Sequence, residues 1–126
     1  MSVDEQEDAQ ARLDQKGLLM QVSNEMVRLY KTQFGRGPTK VRTNWAGPDT
    51  IITTLENSLT PAERNMVTMG ELQRLRDTRM FFQYAIEGQF REVVERLTGR
   101  EVWAFVSGID AAQDVSCEIF YLKPRA

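Results

Sequence analysis

The chain has 126 residues, 41% of them apolar, which predicts one domain with one ordinary hydrophobic core. Its 16 basic and 18 acidic residues give a net charge of -2, which excludes a globally basic surface for nucleic acid or anionic membranes. No apolar run approaches the roughly 20 residues of a spanning helix, and the acidic start lacks a secretory signal. We therefore predict a cytoplasmic protein without membrane insertion.

The first 16 residues are rich in Asp and Glu and contain Leu13 as almost their only large apolar group. So little apolar surface does not offset the entropy lost when a segment becomes ordered. We predict an acidic flexible tail over residues 1–16, with some helix near its end, followed by a single α+β domain over residues 17–126.

The domain begins with one apolar stripe at three- and four-residue steps between Gly17 and Phe34, which predicts an amphipathic helix ended by Gly35. Alternating side chains then predict two strands over residues 40–45 and 51–56, joined by the turn "AGPD".

The stretch "LTPAER" predicts the start of a second helical region. Thr60 and Glu63 form the pattern of a capping box, and Pro61 suits the first helical position. The helical pattern is interrupted near Gly70 and continues to about residue 98. Two further strands are predicted over residues 101–106 and 115–122, joined by the turn "SGIDAAQD".

The two halves share the order helix, glycine bend, strand, turn, strand. This order predicts pseudo-duplicated αββ units forming an α+β fold, with a four-stranded antiparallel sheet packed with two long helices. The second pair of strands is apolar on both faces, and one layer of helices covers only one of them.

Catalytic and metal-binding patterns are nearly absent from the sequence. The chain has no histidine, which removes the commonest general base and the commonest zinc ligand. Cys117 lies in an apolar row, where we interpret it as a packing residue and not as a nucleophile. We predict no enzymatic activity, no cofactor and no metal site. A hydrolase, the alternative class, would require turnover that is lost when one carboxylate is replaced.

A basic stretch, "FGRGPTKVRTNW", follows the first helix, and no acidic residue occurs between Glu25 and Asp49. Backbone N–H groups at Gly35 and Gly37 could bind an anion together with the Arg36 guanidinium, supported by Lys40 and Arg42. The alternative is a helix cap and a bend with a solvated basic face, because the stretch lacks the ending of a phosphate-binding loop and precedes a strand.

Arg79 is in register with the apolar stripe of the second helical region and so points toward the core. A buried arginine needs a partner, which we expect to be a buried carboxylate or a bound anion that Arg76 also contacts. The alternative places Arg79 at the edge of the stripe, with its stem on apolar surface and its head in water.

The second strand pair also predicts an oligomer. Trp103 and Phe105 are expected on one strand face, and Phe120 on the neighbouring strand, as parts of a homodimer interface that covers an exposed apolar patch. The alternative is that the first helix covers this face and the protein is a monomer.

Three motifs in combination, "FGRGPTKVR", "LENSLTPAER" and "FREVVERLTGREVWAFVSG…DVSCEIFYLKP", resemble the MpsC-like family of small bacterial proteins. The similarity runs from about Gly17 to Pro124. The family is named for a sodium-translocating system that generates membrane potential, so the resemblance implies an accessory or regulatory role near cation or inorganic-carbon transport, with a membrane transport component as partner. It implies no catalytic residues.

We therefore predict a non-enzymatic, cytoplasmic regulatory or accessory domain that acts as a homodimer and senses a small anion. The alternative is a nucleic-acid-associated regulator that uses the basic patch of residues 28–42. Duplex binding that weakens steeply with salt would favour the alternative.

Overall fold

The computed structural model describes residues 2–125. In chain order its elements are α1 (Val3–Phe34), β1 (Lys40–Trp45), β2 (Thr50–Glu56), α2 (Pro61–Thr68), α3 (Leu72–Ala85), α4 (Glu87–Thr98), β3 (Val102–Asp110) and β4 (Val115–Leu122). The α+β fold and the four-stranded antiparallel sheet predicted from the sequence are confirmed. The pseudo-duplication of two αββ units stays a prediction.

The first helix is longer than the sequence predicts. It begins at Val3, where the side chains of Ser2 and Glu5 each accept a hydrogen bond from the other residue's backbone N–H. The predicted helix start near Gly17 is therefore wrong, because this capping box supplies local stability that a count of apolar residues does not include. The flexibility of the segment stays a prediction. The first buried residue of α1 is Val22, so the N-terminal half of the helix extends beyond the core.

The second helical region contains three helices, where the sequence predicts one long helix with an interruption. Thr60 caps α2 in the predicted capping box, and the chain breaks at Gly70, which has a φ of 80°. A second break, which the sequence analysis missed, lies at the buried Ile86, where α3 ends and α4 begins. The prediction of two long helices is therefore wrong for this half of the chain.

The sheet has the strand order β1-β2-β4-β3, so each hairpin contributes one central strand and one edge strand. The two hairpins meet where β2 and β4 pair antiparallel. Strand β3 runs to Asp110, so the predicted turn over residues 107–114 is too long. The first four residues of the predicted turn, 107–110, continue the ladder with β4, and only Ala111–Asp114 form the connection.

A register shift between Val102 and Ala104 changes which face the following residues occupy. Val102 and Phe105 are both buried, whereas Trp103 lies between them with 58% of its surface exposed. The predicted placement of Trp103 and Phe105 on one face is therefore wrong, because strict alternation fails across a bulge.

All four helices lie on one face of the sheet, called here the inner face. The main core is formed there by side chains of α1, α4 and all strands except β1, with Val41 and Trp45 of β1 packed against it. A smaller cluster of Leu59, Leu75 and Ala111 lies below α2 and α3. The opposite face, called here the open face, has no helix against it in the described part of the chain. The expectation that one helical layer covers only one face is confirmed.

Candidate functional site

The glycine–arginine–glycine stretch forms a helix cap and a bend. Gly35 takes the left-handed conformation at the end of α1, with φ 80°, and its N–H bonds the Lys31 carbonyl. The Arg36 Nη1 atom donates to the carbonyl oxygens of Asn57 and Leu59 at 2.9 and 2.8 Å. This arginine therefore fastens the bend to the segment that leads into α2, and an anion would compete with two intramolecular acceptors for it.

Close packing explains the second glycine of this stretch. A Cβ atom at Gly37 would lie 3.2 Å from Cγ1 of Val27, closer than side chains ordinarily pack. The glycine therefore lets the bend approach α1. This role is separate from anion binding.

The other predicted basic residues do not converge on Arg36. Lys40 Nζ lies 3.5 Å from Glu56 Oε2 across the first hairpin, and Arg28 pairs with Glu25 on α1. Arg42 is exposed on β1, and Arg76 is exposed on α3. The structure distributes these cations over separate surfaces, so the residues predicted for anion binding do not form one pocket.

Arg79 is fully buried and has a carboxylate partner, as expected for an arginine that points toward the core. Its Nε and Nη2 atoms donate to Glu63 Oε2 and Oε1 at 2.6 and 2.7 Å, and Nη2 also donates to the Ser58 carbonyl at 2.8 Å. The guanidinium carbon lies 3.7 Å from the centre of the Phe34 ring. The placement with its head in water is wrong, and Arg76 takes no part in the pair.

Glu63 has two structural roles at this point. Its Oε1 atom accepts from the Thr60 N–H at 2.9 Å, completing the cap of α2, while both oxygens hold Arg79. Burial by itself raises the pKa of Glu63, but the hydrogen bonds from Arg79 and Thr60 outweigh it and leave the pKa below its ordinary value. The carboxylate is thus ionised as part of the fold.

Asp114 is a structural anchor that the sequence analysis missed. Its Oδ1 atom accepts from the Ser58 N–H at 2.8 Å, and its Oδ2 atom accepts from the Leu59 N–H at 3.1 Å. Oδ2 also forms an ion pair with Arg64 at 3.0 Å. Asp114 has a φ of 57°, a conformation that Asp tolerates better than most residues. An Asp directly before a strand was the available signal.

A second buried polar cluster surrounds Glu118 on the inner face of β4. Glu118 is fully buried, and its Oε1 atom accepts from the Tyr30 hydroxyl at 2.7 Å and from Gln83 Nε2 at 3.2 Å. Gln83 Nε2 also lies 2.6 Å from the Ser107 hydroxyl oxygen. The cluster joins α1, α3, β3 and β4. A glutamate in register with Phe120 and Leu122 was the sequence signal for it.

Burial has a large effect on the acids of this cluster. It raises the pKa of Glu118 to about 7, against the lowering effect of hydrogen bonds from Ser107, Tyr30 and Gln83. Burial and the neighbouring Glu118 charge also raise the pKa of the Tyr30 hydroxyl well above its ordinary value. Glu118 therefore changes its charge near neutral pH.

The open face of the sheet exposes large apolar side chains of the second hairpin. Trp103 and Val106 are 58% and 43% exposed, and the Trp103 and Tyr121 rings lie 5.8 Å apart. Phe105 and Phe120 are buried on the inner face, so of the residues predicted for a dimer interface only Trp103 lies where a second molecule can reach it.

Cys117 also belongs to the open face, on β4. It is half-buried, and burial together with the neighbouring Glu118 charge raises the pKa of its thiol. A raised pKa keeps the thiol in its less reactive protonated form. Within residues 2–125 no three Cys, Asp or Glu side chains are grouped so that they could hold a metal ion.

Comparison with protein families identifies a match over most of the chain. The family model described as "Na+-translocating membrane potential-generating system (MpsC)" matches residues 14–124. Comparison with curated proteins found no match, and neither did comparison with solved structures. None of the helices within residues 2–125 combines the length and the apolar character that crossing a bilayer requires.

Proposed function

The chain belongs to the MpsC family, and from this premise we propose that it is a non-enzymatic, cytoplasmic accessory protein of a system that couples Na+ transport to membrane potential. Its role is regulatory, and it acts as a homodimer through the open face of its sheet. The observation that carries this proposal is the open face itself, because a sheet with helices on one side and exposed Trp103 and Val106 on the other presents a surface suited to association.

The size of the open face is compatible with a dimer. Four strands about 4.8 Å apart, each about seven residues long at about 3.3 Å per residue, cover roughly 20 by 23 Å. Two such faces, treated as flat, together bury about 900 Å², and the uneven surface of the side chains adds to this area. The value is close to the roughly 1,000 Å² that is the lower limit for specific interfaces. Aligned packing of two sheets is a common arrangement in proteins.

The distribution of side chains favours a second copy of this chain as the occupant. Apolar and aromatic groups lie on β3 and β4, whereas the edge strand β1 places Lys40 and Arg42 on the same face. A two-fold axis near β4 would pair the apolar halves and leave the cations at the rim, where solvent screens their repulsion.

The experiment is complementation of a deletion strain, with Na+-dependent membrane potential measured by a potential-sensitive dye. Deletion is expected to lower the potential, and the unchanged chain to restore it. Trp103→Glu, which places a charge on the open face, is expected to fail. The matched control is Met69→Glu, because Met69 is 75% exposed in the connection between α2 and α3, away from the sheet.

Two results would contradict the proposal. A potential that is unaffected by deletion would remove the link to Na+ transport for this chain. Full restoration by Trp103→Glu would separate the accessory role from the open face.

The roles in small-anion sensing and in nucleic-acid binding stay predictions, and each has less support from the geometry. Anion sensing relied on Arg36 and Arg79, whose guanidinium groups are engaged by backbone carbonyls and by Glu63. Nucleic-acid binding relied on residues 28–42, where Glu25 and Glu56 partner two of the cations.

A further inference from the structure

Helix α3 is attached to the sheet by polar contacts to an unusual degree. Its buried residues are Leu75, Arg79 and Gln83, of which only one is apolar. Aromatic side chains instead lie on its outer side, with Phe81 69% exposed and Phe82 41% exposed. Because little apolar surface holds this helix in place, its attachment depends on the buried hydrogen bonds that it makes.

The Glu118 cluster provides many of those bonds. Gln83 reaches Glu118, Ser107 and the Gly108 carbonyl, and the Tyr84 hydroxyl accepts from the Ser107 N–H at 3.0 Å. Three buried oxygens in or beside this cluster have no hydrogen-bond partner within residues 2–125: Gln83 Oε1, Ser116 Oγ and Glu118 Oε2. All three can accept a hydrogen bond, and buried acceptors without donors are costly.

The charged and titratable groups around Glu118 do not neutralise it. α1 contributes Tyr30, which remains protonated, and α3 contributes Gln83 and the more distant Arg79, whose charge is balanced by Glu63. The neighbouring residues on the paired strands are Thr53 and Ser107, both uncharged. An ionised Glu118 would therefore be a buried charge without an ionic partner.

We infer that the Glu118 carboxyl is a buried proton-binding site and that its proton controls how tightly α3 is held against the sheet. In the protonated form the carboxyl is uncharged and its hydroxyl becomes a donor in a cluster that holds acceptors without partners. In the ionised form Oε2 has no donor, so water is drawn toward the carboxylate and the contacts of Gln83 are weakened. α3 is the element that yields, because it buries so little apolar surface.

The direction of the pH effect follows from linkage. The pKa of Glu118 is about 7 in the folded chain, against an ordinary value of 4.5. A carboxyl with a raised folded-state pKa gives its full stabilisation below about pH 4.5 and loses it as the pH rises through about 7. Between these limits the unfolding equilibrium constant is expected to increase by about 300-fold from this group alone, the ratio of the two proton affinities.

The test compares hydrogen exchange of the full chain with that of Glu118→Gln, a neutral variant that resembles the protonated carboxyl. At pH 8, after correction for intrinsic rates, amides of residues 79–85 are expected to exchange at least tenfold faster in the unchanged chain than in the variant. At pH 4, below the ordinary carboxyl pKa of 4.5, the two should agree. Amides of α4 report global opening, so the effect on α3 should exceed theirs. Glu92→Gln on α4 is the matched control, because Glu92 is exposed.

Equal pH dependence of α3 exchange in the unchanged chain and in Glu118→Gln would overturn the inference. If this variant does not fold, the pKa values of the glutamate carboxyls can be measured instead by carbon NMR of the unchanged chain. One glutamate carboxyl titrating near pH 7 supports the inference, whereas all glutamates titrating near their ordinary pKa of 4.5 contradict it. Neither measurement depends on dimer formation or on membrane potential.

Discussion

Arg79 depends on Glu63 for the balance of its charge, since the guanidinium is fully buried and Glu63 is its ion-pair partner. The sequence indicates that an arginine in this register needs a partner. It does not identify Glu63, because the capping-box pattern assigns this residue a local role at Thr60 and is silent about a contact 16 residues away.

Arg79→Met is expected to destabilise the fold by about 3–5 kcal/mol, because it leaves the partly buried Glu63 carboxylate without its ion partner. Chemical denaturation monitored by circular dichroism measures the change. Adding Glu63→Gln should recover part of the loss, since no unpaired charge then remains. The control is Arg76→Met on the exposed side of α3, which should change stability by no more than about 0.5 kcal/mol. Equal losses for Arg79→Met and Arg76→Met would disprove this account of the pair.

At the scale of secondary-structure elements, local signals identify most helix and strand positions. Thr60 with Glu63, Gly35 and Gly70 mark the ends of helices by mechanisms that involve only neighbouring residues, and the structure confirms all three boundaries. The bulge at Trp103 is different, because it depends on how β3 fits against β4. Alternation within one strand contains no information about that fit, so the face assigned to Phe105 was wrong.

Removal of residues 2–14 is expected to leave the fold intact, although these residues are helical. The deleted segment precedes the first buried residue, Val22, and also precedes Gln15, which accepts from the Trp45 ring N–H at 2.7 Å. Thermal unfolding should shift by no more than about 4 °C, which corresponds to roughly 1 kcal/mol or less for a domain of this size. A deletion of residues 2–24, which also removes Val22 and Ser23, is the destabilising comparison. A large shift already in the shorter deletion would show that the exposed half of α1 supports the core.

At the scale of the whole molecule, the sequence predicts the fold class but does not predict how its polar residues meet. Glu118, Gln83 and Tyr30 are far apart in the chain and become neighbours only when α1 and α3 pack on the same face. The basic stretch shows the converse, since residues close in sequence, such as Arg36 and Arg42, are placed on separate surfaces. Both outcomes depend on tertiary arrangement, which residue patterns do not contain.

The arrangement of the whole molecule also supports the proposal that two copies associate through the open face. Trp103 is the residue on which this claim depends most, because it is the large aromatic side chain exposed on that face by the bulge. Its exposure means that a charged replacement leaves the core of the monomer unchanged.

Light scattering at low micromolar concentration tests this claim most directly. We expect a mass of twice the 14.5 kDa of one chain, falling to 14.5 kDa for Trp103→Glu with an unchanged circular dichroism spectrum. Met69→Glu, the exposed control away from the sheet, should retain the doubled mass. A mass of 14.5 kDa for the unchanged chain, or a doubled mass that survives Trp103→Glu, would contradict the claim.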